Sequence, residues 1–369
     1  MQFSIEQSNL LKLLKTVSGV IERKNLQQPI LANVLVTLEG KKIKLLASDQ
    51  EIQIQVKGEV LKSQEDGRIA IPFRKLSDWS KSLPDSSVVQ FKTTEDKVEV
   101  SANKTKIKLS CLPAISFPSF PKIEENVCFS IDSKILKNLM QKTFFAMAEQ
   151  DVRYYLNSML LELKPDGITV VASDGHRLVI NAQELNLLEV KDPVRAIIPR
   201  KSVQEINRIL EDKDGEVVLY LSSTQMNIYY AEGSMSMVLF EGKYPDYTRL
   251  IPKNLNYTMT VDKDALKEAL LRAQALLGSK NKGVLFQLSP NRLVISSVSD
   301  NDLGEEELDE VDYSGDKIEI GFNAKYLLDY IHVITDTHLK FFFSSATTSS
   351  LINTNQDKNS NYVLMPVQI

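Results

Sequence analysis

Apolar residues recur at helical spacing in three places along the chain. Leu10, Leu13, Leu14 and Val17 form one stripe, Ile135, Leu136, Leu139, Met140 and Phe144 a second, and Leu266, Leu270, Ala273 and Leu277 a third. Positions three and four apart share a helix face, so each stripe predicts an amphipathic helix with one buried side. Gly19 and Gly278 fall where two of these helices should end. Asn9, Ser133 and Asp264 fall where caps or first turns should lie. Elsewhere polar and apolar residues alternate. Lys97-Val98-Glu99-Val100 and the run from Lys104 to Leu109 have the period of two expected of a half-buried antiparallel strand.

The pattern repeats at offsets near one third of the chain, with four landmarks in each copy. FSIEQSNLLKLLKTV from Phe3, FSIDSKILKNLMQKT from Phe129 and MTVDKDALKEALLRA from Met259 each lead a strand into a helix. Ile5, Ile131 and Val261 occupy equivalent places there. LLASD, VVASD and SSVSD end strands at Asp49, Asp174 and Asp300. AIPFRKLSDWSKSL from Ala70, IIPRKSVQEINRIL from Ile197 and IGFNAKYLLDYIHV from Ile320 open a second helix. IKLSCLP from Ile107, MSMVLFE from Met235 and NYVLMPV from Asn361 are closing strands. Four landmarks in one order predict three similar domains, 1–125, 126–253 and 254–369. The Pro-rich stretches SFPSFP (116–121) and YPDYTRLIP (244–252) lie just before the two boundaries. Two helices covering antiparallel sheet in each domain make an α+β fold.

Composition adds exclusions. With 14 Gly and 13 Pro in 369 residues, a fibrous or disordered chain is ruled out. No apolar run nears the roughly 18 residues of a membrane-spanning helix. MQFSIEQSNL has no basic start of a secretory signal. A cytoplasmic protein without a membrane partner is expected. Cys111 and Cys128 are too few for a disulfide framework or a metal site of their own, and are expected to be small buried hydrophobes.

Catalytic signatures are missing. There is no dinucleotide fingerprint, no phosphate-cradling Gly-Lys-Ser/Thr loop and no His-Glu-x-x-His helix. Asp174-Gly175-His176-Arg177 offers an acid and a base, but no nucleophile or oxyanion site accompanies them. The acidic run from Asp300 to Asp312 lacks calcium-loop spacing. No catalytic residue, metal or cofactor is expected.

Charge is distributed unevenly. The six predicted helices with their flanks (8–24, 74–82, 133–148, 200–212, 263–282 and 323–338) hold 19 basic and 9 acidic residues. The whole chain has a net charge of -4, so the remainder carries -14 against +10 on the helices. Basic helices on an acidic body are either ordinary solvated faces or a common positive surface. A positive surface attracts phosphates without sequence preference, while an acidic exterior repels them.

Five segments resemble the bacterial DNA polymerase III β subunit, the sliding clamp: VRYYLNSMLLEL from Val152, VASDGHRL from Val171, GKYPDY from Gly242, EIGFNAKYLLD from Glu319 and the terminal YVLMPVQI. The resemblance implies a head-to-tail homodimeric ring of clamp-fold domains, with helices lining a central hole for duplex DNA. It implies a non-catalytic processivity subunit. Implied partners are a clamp loader complex, the DNA polymerase III catalytic subunit, and other polymerases, ligase and mismatch-repair proteins that carry clamp-binding peptides. The loader is expected to supply ATP energy, for which this chain has no site.

The family's peptide-binding groove, carried onto matching positions, uses Leu156, Ser173, Gly175, His176, Arg177, Leu178, Pro245, Leu250, Val363 and Met365 as one pocket. Arg153, Tyr155, Asn323, Tyr326, Pro366 and Val367 form an adjoining shelf, with Thr347 and Ser349 beside it. Arg153 and Arg177 are expected to fix peptide carbonyls or acidic residues. For DNA, Lys12, Lys24, Arg74, Lys75, Gln150, Tyr154, Arg200, Lys201, Lys280 and Lys282 are expected to position phosphates. For the dimer, Lys104, Lys106, Ile107, Lys108 and Leu109 would meet the acidic segment with Asp302, Glu305 and Glu306, with Leu276 and Leu277 as the apolar part. Both charged segments could instead be solvated strands. Glu149 and Gln368 depart from residues common in relatives, which bears on partner preference. A multidomain scaffold that binds proteins without encircling DNA remains the second reading, and a nucleic-acid enzyme the third.

Overall fold

The computed structural model describes residues 1–22, 27–120, 127–187, 190–211, 214–277, 283–298, 303–355 and 359–369. The first repeat runs β1 (Gln2–Glu6), α1 (Gln7–Val17), β2 (Asn33–Glu39), β3 (Lys42–Ser48), β4 (Ile52–Glu59), β5 (Lys62–Glu65), β6 (Gly67–Pro72), α2 (Phe73–Lys81), β7 (Val88–Thr94), β8 (Lys97–Ala102) and β9 (Thr105–Ser110). The second runs β10 (Val127–Asp132), α3 (Ser133–Phe144), β11 (Ser158–Lys164), β12 (Gly167–Ser173), β13 (Arg177–Glu184), β14 (Val194–Pro199), α4 (Arg200–Leu210), β15 (Glu216–Leu221), β16 (Gln225–Tyr230) and β17 (Gly233–Val238). The third runs β18 (Tyr257–Asp262), α5 (Lys263–Leu276), β19 (Gly283–Ser289), β20 (Arg292–Val298), β21 (Leu303–Leu308), β22 (Val311–Tyr313), β23 (Ile318–Asn323), α6 (Ala324–Ile331), β24 (His338–Phe343), β25 (Ser350–Asn353) and β26 (Ser360–Leu364).

The apolar stripes are the buried helix faces. Leu10, Leu13, Leu14 and Val17 are buried on α1, Leu136, Leu139 and Met140 on α3, and Leu266, Leu270 and Ala273 on α5. Each such Leu, Val or Met side chain contributes roughly 1.5–3 kcal/mol by leaving water. Apart from α2, which is as long as its span, the helices are shorter than the spans counted with their flanks. α1 gives way to a tight 3-10 turn at Ser18–Val20 that contains Gly19. Gly278 lies outside the described residues. Asn9, Ser133 and Asp264 lie in first turns, as expected, while the side-chain caps sit on the last residue of the preceding strand. Asp132 accepts from the Lys134 N–H at 2.7 Å, and Asp262 from the Ala265 N–H at 2.8 Å. Asn9 faces away and donates to the Glu59 carbonyl. Cys111 is buried, and burial pushes its thiol up to about 11; Cys128 is half-buried.

The chain forms two compact units. One comprises residues 1–134 and 204–239, the other residues 135–203 and 240–369. In the first unit, β5-β1-β7-β8-β9 make one sheet and β10-β15-β16-β17-β4-β3-β2-β6 another. In the second, the sheets are β14-β11-β12-β13-β26-β25-β24-β18-β22 and β21-β20-β19-β23. The two long sheets do not stop where the sequence repeat does. β17 of the second repeat pairs with β4 of the first, Met235 opposite Ile54. β26 of the third pairs with β13 of the second, Leu178 opposite Val363. A strand left unpaired at the end of a repeat exposes a row of backbone donors and acceptors, and these ladders satisfy them. Among the described residues no helix is long and apolar enough to cross a membrane.

Candidate functional site

The Ser-Asp landmark is a side-chain-built turn. Asp174 accepts from the N–H groups of His176 (2.9 Å) and Arg177 (3.1 Å), while Ser173 Oγ donates to the Arg177 carbonyl at 2.7 Å. Gly175 within the turn has φ +90°, a conformation that suits glycine. The same wiring occurs in the first repeat. There Asp49 accepts from Glu51 and Ile52, and Ser48 donates to the Ile52 carbonyl. Short polar side chains that bond their own backbone two and three residues on explain why Ser-Asp recurs at strand ends.

This turn leads into β13, and β13 seats β26 and the terminal segment. Leu178 and Val363 are cross-strand partners in a buried apolar cluster with Leu160, Val171, Ile180, Ile197, Tyr244 and Tyr247. Tyr155, Ile251 and Leu351 pack at its edge. Past the strand, the Met365 N–H donates to the His176 carbonyl at 3.0 Å, and the Val367 N–H to the Gly321 carbonyl at 2.9 Å. A Cβ at position 321 would stand 2.2 Å from the Val367 carbonyl oxygen, so glycine there lets the terminal segment lie flush on β23. Leu178 and Val363 thus belong to a buried apolar floor, Leu156 and Ser173 are buried as well, and His176, Pro245, Leu250 and Met365 are exposed. An apolar floor with an exposed, adaptable Met at its rim suits a short apolar peptide anchor.

The expected shelf residues lie on the turn around Tyr154–Asn157, at the β23–α6 junction and on the terminal segment. Arg153 pairs with Asp151 at 3.0 Å and reaches within 3.0 Å of where a Gly175 Cβ would stand. Hydrogen bonds from the Arg153 side chain, then its backbone N–H, hold the Asp151 carboxyl down at about 2. Asn323 caps α6, accepting from Lys325 and Tyr326. Pro366 and Val367 are half-buried on the terminal segment. Thr347 lies exposed in a Ser/Thr loop, bonded to Ser345, and Ser349 directly precedes the Ser350–Leu364 pair of β25 and β26.

Arg177 departs from expectation. Its guanidinium is not free for a partner. It is buried, donates to Asp174 (2.9 Å), Asp329 (2.8 Å) and the Phe145 carbonyl (2.6 Å), and lies over the Tyr326 ring at 4.2 Å. Burial alone would lower its pKa, but Tyr362, Asp329 and Asp174 outweigh this and raise it. Arg177 therefore ties the Ser-Asp turn, the end of α3 and α6 together beneath the shelf. Sequence reasoning missed Asp329 and Phe145 in this network. Asp329 was traceable, since it lies one helical turn beyond Tyr326 on a predicted helix.

The basic set divides. Lys12 on α1, Arg74 and Lys75 on α2, and Lys201 on α4 are exposed, with Arg74 3.6 Å from Asp78. Gln150 is exposed with φ +58°. Tyr154 is half-exposed and packs on Tyr155 and Phe240. Arg200 is largely engaged. It donates to the Met147 carbonyl and to Glu149 and stacks over Phe144. Lys24, Lys280 and Lys282 lie outside the described residues.

Of the strands expected to join copies, β9 and β21 each end a sheet. Lys104 is in the turn before β9, and Lys106 and Lys108 reach Glu99 on β8 at 4.0 and 3.4 Å. Ile107 is half-buried and Leu109 buried. On β21, Glu305 is exposed, whereas Glu306 is held by Arg272 at 2.8 Å. Leu276 is exposed and close to Gly304, with Leu277 half-buried beside it. Asp302 lies outside the described residues. Among the described residues, no group of His, Cys, Asp and Glu is arranged to hold a metal.

Comparison with known proteins covers the whole chain. Family models for the DNA polymerase III beta subunit match in order: the N-terminal domain over residues 1–121, the central domain over 130–246 and the C-terminal domain over 248–368. The beta sliding clamp of Pseudomonas putida is 36% identical over 369 residues, covering 100% of both chains. A crystal structure of the DNA polymerase III subunit beta from Pseudomonas aeruginosa is 37% identical with a TM-score of 0.94, covering 100% of both chains. A Pseudomonas aeruginosa sliding clamp bound to griselimycin is 36% identical with a TM-score of 0.96 and the same coverage.

Proposed function

The chain belongs to the DNA polymerase III beta subunit family, the sliding clamps, and on that footing we propose that two copies join head to tail into a ring around duplex DNA. The family is a processivity subunit without catalytic activity of its own. One observation carries the ring reading. β4 and β13 follow Ser-Asp turns, and each pairs with a closing strand of the next repeat, β17 or β26. β21 follows the third Ser-Asp landmark, β9 is the remaining closing strand, and both are sheet edges. Repeating the seam between copies pairs β9 of one with β21 of the other. Two such joints close a dimer and leave neither edge exposed. The seam registers bring Leu109 opposite Leu303 or Gly304. Leu303 is 66% exposed, and Leu276 supplies further apolar surface.

Exposed Lys12, Arg74, Lys75 and Lys201, with Gln150 and Tyr154, position phosphates without reading bases. The floor around Leu178 and Val363 takes an apolar anchor of a partner's peptide, and the Arg153–Tyr326 shelf takes its flank. Partners of this kind are the polymerase catalytic subunit, a clamp loader, and other polymerases, ligase and mismatch-repair proteins, all in the cytoplasm. The test is retention on DNA. The protein is loaded onto a nicked circle by an ATP-driven loader, and the circle is then linearised. Loss on linearisation is expected. Retention on linear DNA, or a monomeric mass in solution, would favour the scaffold that does not encircle DNA.

A further inference from the structure

Both seams within the chain hold an arginine on a helix end with a carboxylate from the next repeat, but the arginine comes from α4 at the first and from β13 at the second. At the seam of the first and second repeats, Arg208 of α4 donates to the Lys15 and Thr16 carbonyls at the end of α1 (2.7 and 2.6 Å). Glu205, one turn earlier on α4, holds that guanidinium and is itself buried. Gly19 makes room, since a Cβ there would stand 2.0 Å from Glu205 Oε1. At the seam of the second and third repeats, Arg177 donates to the Phe145 carbonyl just past α3, and Asp329 of α6 holds it. In each case a carboxylate on the second helix of one repeat fixes an arginine on the C-terminal end of the first helix of the repeat before it. Helix ends expose carbonyls and partial negative charge, so a cation there satisfies both.

The first repeat carries the parts for a third such clip. Aligning AIPFRKLSDWSKSL with IIPRKSVQEINRIL puts Asp78 in the place of Glu205 and Lys81 in the place of Arg208. Both are exposed, and Lys81 has no partner among the described residues. The first helix of the third repeat, α5, is the matching acceptor. It has no basic residue in its last turn, and Ala275 and Leu276 there are exposed. Ala275 stands where the first repeat has Gly19, a small residue that permits close approach.

We propose that Asp78 and Lys81 on α2 of one copy clip the C-terminal turn of α5 of a second copy. The clip would set the angle at which β9 meets β21. This rests on the head-to-tail reading. The test measures dimer dissociation by sedimentation across concentration for the wild type, Lys81→Glu, Lys81→Ala and Lys81→Arg. Alongside these, Asp78→Cys/Ala275→Cys is oxidised in a Cys128→Ser background. Two joints are lost together, so Lys81→Glu should weaken the dimer at least about tenfold. Lys81→Ala should do so less, Lys81→Arg should stay near wild type, and the cysteine pair should cross-link two chains. A wild-type dimer left unchanged by Lys81→Glu, with no cross-link, overturns the clip and spares the head-to-tail reading. A monomeric wild type overturns both. Unchanged unfolding midpoints of the variants keep a local effect apart from misfolding.

Discussion

Arg177 shows how one side chain can support the proposed groove while its own guanidinium is already engaged. That group is charged, buried and shared between Asp174 and Asp329, so removing it leaves Asp174 to two backbone N–H donors and Asp329 to Lys325. Arg177→Ala should cost about 3 kcal/mol in chemical unfolding. Asp329→Asn keeps an acceptor and should cost about 1 kcal/mol. Equal losses would mean that charge does not matter in the network. Asp151 gives a pH dependence with a definite sign. Its carboxyl sits near 2 in the fold against an ordinary 3.8, so the Arg153 pairing stabilises fully above about 3.8 and is lost as pH falls toward 2. The Arg153 side-chain resonances should shift in that window and not between pH 5 and 8. The family resemblance put Arg177 and Tyr326 in one groove but left Asp174 out of it. It did not show that Arg177 was already spent, because Asp329 is 152 residues away and that contact exists only once the sheets form.

At the scale of elements, the site depends on where the terminal segment lies. Val367 docks on Gly321 by a backbone hydrogen bond, with Ile369 against Gly283. Gly321→Ala should lift that segment and weaken binding of a clamp-binding peptide about tenfold or more, with little change in dimer mass. Deleting Met365 to Ile369 should abolish peptide binding outright, as read by fluorescence polarisation. Wild-type affinity after the deletion would remove these residues from the groove. The helices were legible because their apolar stripes are strongly periodic, and the strands because they alternate. Helix ends were not. The capping Asp132 and Asp262 belong to the preceding strands, and a strand residue whose side chain turns back to cap a helix leaves no periodic mark. The continuity of the long sheets was equally hidden, since pairing across a repeat boundary depends on edges that alternation does not identify.

At the scale of the molecule, the expected joint between copies is chemically softer than the joints within one. Lys106 and Lys108 already share Glu99 in their own sheet, which leaves part of their charge for a partner. Exposed pairs are worth only about 0–1 kcal/mol each, so these lysines set register more than strength. Reversing Lys104, Lys106 and Lys108 together should nevertheless give monomers at low concentration and moderate salt. A mutant that stays dimeric there would free β9 from any part in closure. The internal ladders are different in kind. Met235, Ile54, Leu178 and Val363 are buried on uninterrupted backbone pairing. Their amide protons should exchange as slowly as those at the centre of either sheet. Mechanical work applied to such an object has one place to go. If two copies form the proposed ring, whatever pries it apart finds two welds per chain that will not part, and a clasp between chains that will.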